Sequence, residues 1–145
     1  KIYRIKLWPD MFKSFISNKF WKYDVEDNAF SIMRDKNGVI ASIHSTATQW
    51  EHKFSIEITC QKGMLILSGI LSSTKSYGRE QLTILNKVKN GIKKKYFTFK
   101  NDHSWRNEIK EFAKLIKNND KVKIGSSFQA LNAMEVIEKI YKSDN

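Results

Sequence analysis

Apolar and polar residues alternate at every second position along several stretches of the first hundred residues. The clearest case is Phe54, Ile56, Ile58 and Cys60, which alternate with Lys53, Ser55, Glu57 and Thr59. That period belongs to a strand with one covered face, and it places Cys60 in the inward series. Met11 to Tyr23 reads as a long strand, with Phe12, Ile16 and Phe20 among Ser14, Asn18 and Lys22. Ala29–Arg34, Val39–Thr46, His52–Cys60, Met64–Leu67, Leu82–Val88 and Lys94–Lys100 read as further strands. Asn37-Gly38 and Asn90-Gly91 tolerate positive φ and mark hairpins, and Lys62-Gly63 marks another turn. The acidic stretch from Asp24 to Asn28 is a connection, and the Ser/Gly-rich segment from Gly69 to Glu80 is a long loop.

The period then changes. Trp105, Ile109, Phe112 and Ile116 fall at helical spacing. Asp102 or Ser104 caps this helix, and Asn118-Asn119-Asp120 ends it. Ser126 and Gln129 have capping-box spacing at the head of a last helix, whose stripe is Ala130, Ala133, Met134, Ile137 and Tyr141. Strands followed by helices predict an α+β fold: an open, predominantly antiparallel sheet with helices packed on one face. The other face carries Ser42, His44 and Thr46, alternating with Val39, Ala41 and Ile43. It is left to solvent, to another subunit or to a cleft.

The 145 residues suffice for one domain with a core, and 41% hydrophobic against 28% charged content is that of a globular chain. No apolar run approaches the roughly 20 residues of a membrane helix, and the N-terminus lacks the apolar stretch of a secretory signal. Cys60 is the only cysteine, so no internal disulfide forms and a cytoplasmic setting is expected. The chain opens on Lys1 rather than methionine, so a piece of a longer protein is expected.

The net charge is +11 and the pI about 9.7, which raises the question of nucleic acid. Lys, Ile and Asn are abundant together while Arg and Pro are scarce, the signature of A/T-rich codons. The arginines, at 4, 34, 79 and 106, are scattered, and the densest basic stretch, Lys87 to Lys95, reads as a hairpin tip. A solvated surface therefore leads over a nucleic-acid partner.

Chemical motifs are few. There is no glycine-rich phosphate loop. His44, His52 and His103 do not fall at metal-ligand spacings. Glu26-Asp27 sits at a strand entry and is not poised as an acid/base couple. Trp50 and Trp105 are first of all packing anchors. The run Ser45-Thr46-Ala47-Thr48-Gln49-Trp50, small hydroxyls closed by an amide and an aromatic, is the segment that periodicity does not explain.

An ordered series does carry a resemblance. Glu26-Asp27-Asn28-Ala29-Phe30, Asn37-Gly38, Ser45-x-Thr-x-x-Trp50, Glu57-Ile58 and Lys62-Gly63-x-Leu-x-Leu-x-Gly69 are followed by Ser104-Trp105-x-x-Glu108-Ile109-x-x-Phe112, Ala130-Leu131 and Ile140-Tyr141-x-Ser143. Over Asp24 to Ser143 this resembles the C-terminal domain of the glucose–fructose oxidoreductase / inositol dehydrogenase / MocA family. The resemblance implies that residues 1–145 are the substrate-binding and oligomerisation domain of a two-domain NAD(P)-dependent oxidoreductase acting on a sugar, inositol or related polyol. The N-terminal Rossmann domain, with its cofactor and catalytic Glu-Lys-Pro and Asp/His motifs, lies outside the chain. No catalytic, cofactor-binding or metal residue carries over, so the isolated chain is expected to be inactive, with NAD or NADP belonging to the parent enzyme. The expected substrate contacts are Gln49, Trp50, His52, Tyr77 and Arg79, and the expected subunit interface is the open sheet face. Neither nucleic acid nor membrane is an expected partner. The alternative is a stand-alone basic binding or dimerisation module without catalysis.

Overall fold

The computed structural model describes residues 8–72, 74 and 76–144. Lys1–Leu7 lie outside them, as do Ser73 and Lys75 in the long loop and Asn145. The element order is the predicted one. Strands β1 (Pro9–Ser17), β2 (Asn28–Asp35), β3 (Ile40–Thr46), β4 (Ser55–Cys60), β5 (Gly63–Ser68), β6 (Gln81–Val88) and β7 (Gly91–Thr98) precede helices α1 (Ser104–Asn118) and α2 (Ser127–Lys142).

All strand pairs are antiparallel, but they form two sheets rather than the one expected: β1-β2-β3 and β4-β5-β6-β7. The chain correspondingly divides into two compact units, Lys1–Thr48 with Lys121–Asn145, and Gln49–Asp120.

In the first unit, β1 stops at Ser17 instead of running to Tyr23. The cause is Asp27. Its carboxylate accepts the N–H groups of Phe20 (2.8 Å) and Trp21 (2.9 Å), and Lys22 turns to φ 56, so the chain folds into a turn there. The β2–β3 connection is longer than a two-residue hairpin for a similar reason. The Asp35 carboxylate accepts the N–H groups of Asn37 and Val39, both at 2.9 Å, and Gly38 takes the positive φ of 80.

Register divides the three-stranded sheet into two faces. Phe12, Ser14, Met33, Ser31 and Ala41 share one, on which α2 packs against β1. Met33 and Ile140 are the buried hydrophobic residues among those described. Hydroxyls link the strands to the end of α2: buried Ser14 donates to buried Ser31 (2.9 Å) and accepts from Ser143 (2.6 Å), whose hydroxyl proton also has the Ile140 carbonyl within reach (3.0 Å). The Ser126–Gln129 capping box predicted for α2 is present. Beyond α2, the Ser143 carbonyl and the Asp144 carboxylate accept the N–H groups of Ser14 and Ile16 (3.4 and 3.0 Å) along β1. The opposite face is open, as expected, and carries His44 and Ser42 with exposed Phe15, Phe30 and Ile32.

In the second unit, register aligns Ile56, Leu67, Leu82 and Phe97, and beside them Ile58, Leu65 and Ile84, on one face of the four-stranded sheet. The expectation that both helices cover a sheet face fails here. Helix α1 does not pack on these strands, and Trp105, Ile109, Phe112 and Ile116 are 59–76% exposed. Cys60, placed by alternation in an inward series, is exposed, and no helix among the described residues of this unit packs on that face. The N-cap of helix α1 is His103, rather than the expected Asp102 or Ser104, and it makes no side-chain cap bond; the Asp102 carboxylate accepts the Ser104 N–H (2.8 Å), and the helix ends at Asn119 in the left-handed region, φ 52.

Candidate functional site

Two segments meet at one end of the four-stranded sheet: Gln49–Phe54, which leads into β4, and Gly69–Glu80, which joins β5 to β6. Gly69 is the point of closure. Its N–H donates to the Phe54 carbonyl (3.1 Å). Its φ is +71, and a Cβ there would sit 2.2 Å from the Arg79 carbonyl oxygen and 3.0 Å from that of Tyr77. Only glycine lets the returning loop lie this close. The loop is closed at its base by Glu80, whose carboxylate accepts the Leu71 N–H (3.1 Å) and whose carbonyl accepts the Phe99 N–H (2.9 Å).

This closure brings His52 against Tyr77. Their rings stack with centroids 4.9 Å apart and planes 23° from parallel. Arg79 follows two residues on, exposed, with its carbonyl against Gly69. Of the five expected contact residues, the fold thus joins His52 and Tyr77 directly and sets Arg79 beside them through the backbone. Gln49 and Trp50 are exposed in the segment ahead of His52, and Trp50 is 100% exposed, so it anchors no packing within the chain.

The hydroxyl run before Trp50 has a structural explanation, and it belongs to the first unit. Thr46 Oγ1 donates to Asn28 Oδ1 (2.5 Å), Thr48 Oγ1 donates to the same oxygen (3.3 Å), and the Thr48 N–H donates to Thr46 Oγ1 (3.1 Å). The Ala47 N–H donates to the Asp27 carbonyl (2.8 Å), and the Trp21 indole N–H donates to the Ala47 carbonyl (3.0 Å). These hydroxyls tie the end of β3 to the start of β2.

The first unit holds a polar pairing that spacing did not reveal. The Tyr141 hydroxyl of α2 donates to Glu26 Oε1 (2.5 Å), at the rim of an open hollow of about 560 Å³ lined also by Ile16, Asn18, Lys19 and Asp24. That hydrogen bond holds the Glu26 carboxyl below its ordinary value and raises the Tyr141 phenol. Burial alone would raise Asp27, but the N–H groups of Trp21, Asn28 and Phe20 outweigh it and hold the carboxyl low. The signal for this pairing, an acid in one connection and a tyrosine on a helix 115 residues later, has no local pattern.

The stacked imidazole and phenol of His52 and Tyr77 offer hydrogen-bonding groups and a flat ring surface, which suit a hydroxylated ligand. Among the described residues no group of three or more His, Cys, Asp or Glu could hold a metal ion. Pyrophosphate binds at an open helix N-terminus, but that of α2 is filled by Ser126 and Gln129, and that of α1 faces the Asp102 carboxylate. No family model, curated protein or solved structure matches the chain.

Proposed function

We propose that the chain is the substrate-contacting domain of an NAD(P)-dependent oxidoreductase acting on a sugar, inositol or related polyol. The observation that carries this reading is the His52–Tyr77 stack, with Arg79 two residues further along the same loop, so that three of the five expected contact residues lie in one loop cluster. In this reading hydride transfer, the cofactor and the catalytic acid and base belong to a separate nucleotide-binding domain, and these loops orient the polyol by its hydroxyls. The open face of the three-stranded sheet, with exposed Phe15, Phe30, Ile32 and Ile40, serves as the contact between subunits. A cytoplasmic setting accords with the single thiol and with the absence, among the described helices, of one long and apolar enough to cross a membrane.

The test is the protein expressed from its complete reading frame and assayed for reduction of NAD and NADP by inositols and aldoses. Polyol-dependent reduction is expected, with His52→Ala and Tyr77→Ala each raising KM about tenfold and changing kcat less, as for lost ground-state contacts. A reading frame without a nucleotide-binding domain, or no polyol-dependent reduction, overturns the proposal.

A further inference from the structure

Strand β7 ends the four-stranded sheet, and no strand among the described residues pairs with its outer edge. All eight of its residues are exposed. Val88 and Gly91 flank a two-residue turn, so the N–H groups of Gly91, Lys93, Lys95 and Phe97 face β6, and the Phe99 N–H continues that series by donating to the Glu80 carbonyl. Those of Ile92, Lys94, Tyr96 and Thr98 therefore point outward, with no acceptor for them among the described residues.

The charge along this edge is of one sign. From Gln81 to Asn101 there is no Asp or Glu, while Lys87, Lys89, Lys93, Lys94, Lys95 and Lys100 are present. None of these lysines is in an ion pair among the described residues. Lys93 and Lys95 project from one face of the sheet and Lys94 from the other, so a strand laid along the edge meets positive charge on both sides. A second copy of β7 is a poor occupant. Antiparallel pairing centred on Lys94, whose N–H points outward, sets Lys94 opposite Lys94 and Lys93 opposite Lys95, and like charges directly opposed are destabilising. Nucleic acid is also disfavoured, because the hairpin has no arginine for bidentate base or phosphate contacts and an open backbone ladder is of no use to it.

We propose that the β7 edge accepts an acidic polypeptide segment in extended conformation, which adds as a fifth strand to the four present. Backbone hydrogen bonds supply the pairing and the alternating lysines select acidic side chains. The site is separate from the His52–Tyr77 cluster and does not depend on its role.

The probe is an acetylated octapeptide alternating Glu and Thr, with a Gln/Thr octapeptide and a single-stranded oligothymidylate as comparators, titrated into isotopically labelled protein. The Glu/Thr peptide is expected to bind and to slow amide exchange at Ile92, Lys94, Tyr96 and Thr98. It should bind at least tenfold more tightly than the Gln/Thr peptide and weaken as salt rises. Tyr96→Pro removes one outward N–H and leaves every lysine in place, and is expected to weaken binding about tenfold. Lys93→Gln with Lys95→Gln keeps the ladder intact and should weaken it comparably. Equal binding of the two peptides overturns the proposal, as does no binding, in which case the lysines only guard a bare edge. Tighter binding of oligothymidylate, unaffected by Tyr96→Pro, also overturns it, because the surface is then a general polyanion surface.

Discussion

The two units use the same raw material differently. Each combines an antiparallel sheet with one amphipathic helix. In the first, α2 lies on its sheet, and the contact is completed by the Ser14–Ser31–Ser143 hydroxyl chain, with Met33 and Ile140 excluded from water. In the second, α1 has the sharper apolar stripe, yet no strand of its unit receives it. A stripe states that a helix has a face to cover; it does not state what covers it. Polar side chains bond across elements where the helix is covered in the first unit, and no such bond joins α1 to a strand among the described residues of the second.

The largest test of this contrast is a pair of truncations followed by chemical denaturation. Met33→Ala should cost about 2–4 kcal/mol, the range for emptying a buried site, whereas Phe112→Ala should cost no more than about 0.5 kcal/mol. Equal costs would mean that α1 is covered in solution. Next comes Asp27→Ala, which leaves the Phe20 and Trp21 N–H groups without their carboxylate. A fall of several degrees in Tm is expected, with faster amide exchange at Phe20, Trp21 and Ala47. Ser126→Ala removes one half of the capping box and should cost about 1 kcal/mol.

Acid should separate the units further. Asp27 and Asp35 are both held below the ordinary carboxylate value of 3.8. For Asp35 the largest cause is the Val39 N–H, acting with Asn37 against the opposing effect of burial. A carboxyl lowered in the fold stabilises it fully above the unfolded value and loses that contribution as pH falls through the folded value. The two turns of the first unit should therefore open below about pH 4. Amide exchange at Asn37 and Val39, followed from pH 6 to 3, checks this. The smallest effect is expected from Tyr141→Phe. Without its phenol donor the Glu26 carboxyl should titrate closer to 4.5, visible in its side-chain carbon shift, with little change in stability because the pair is exposed.

Much of the local architecture was legible in the residues alone. The order of strands and helices, the capping box, and the glycines at turns follow from period and from backbone allowance, which act over a few positions. The end of β1 at Ser17 and the length of the β2–β3 turn are not legible in alternation, because Asp27 and Asp35 reorganise the chain through carboxylate–backbone bonds that outweigh it. The candidate site was half legible. His52, Tyr77 and Arg79 could be named, but their meeting rests on Gly69 admitting the return of the loop, a steric fact about residues distant in sequence.

By itself the sequence determined which segments extend and which coil, because side-chain period, caps and turn residues act on their own backbone. The fold alone decided that the strands form two sheets, that α2 is covered while α1 is not, and that the hydroxyls from Thr46 to Thr48 close on Asn28 rather than line a cleft. Those outcomes depend on which surfaces and hydrogen-bonding groups meet across tens of residues, and no local period records that.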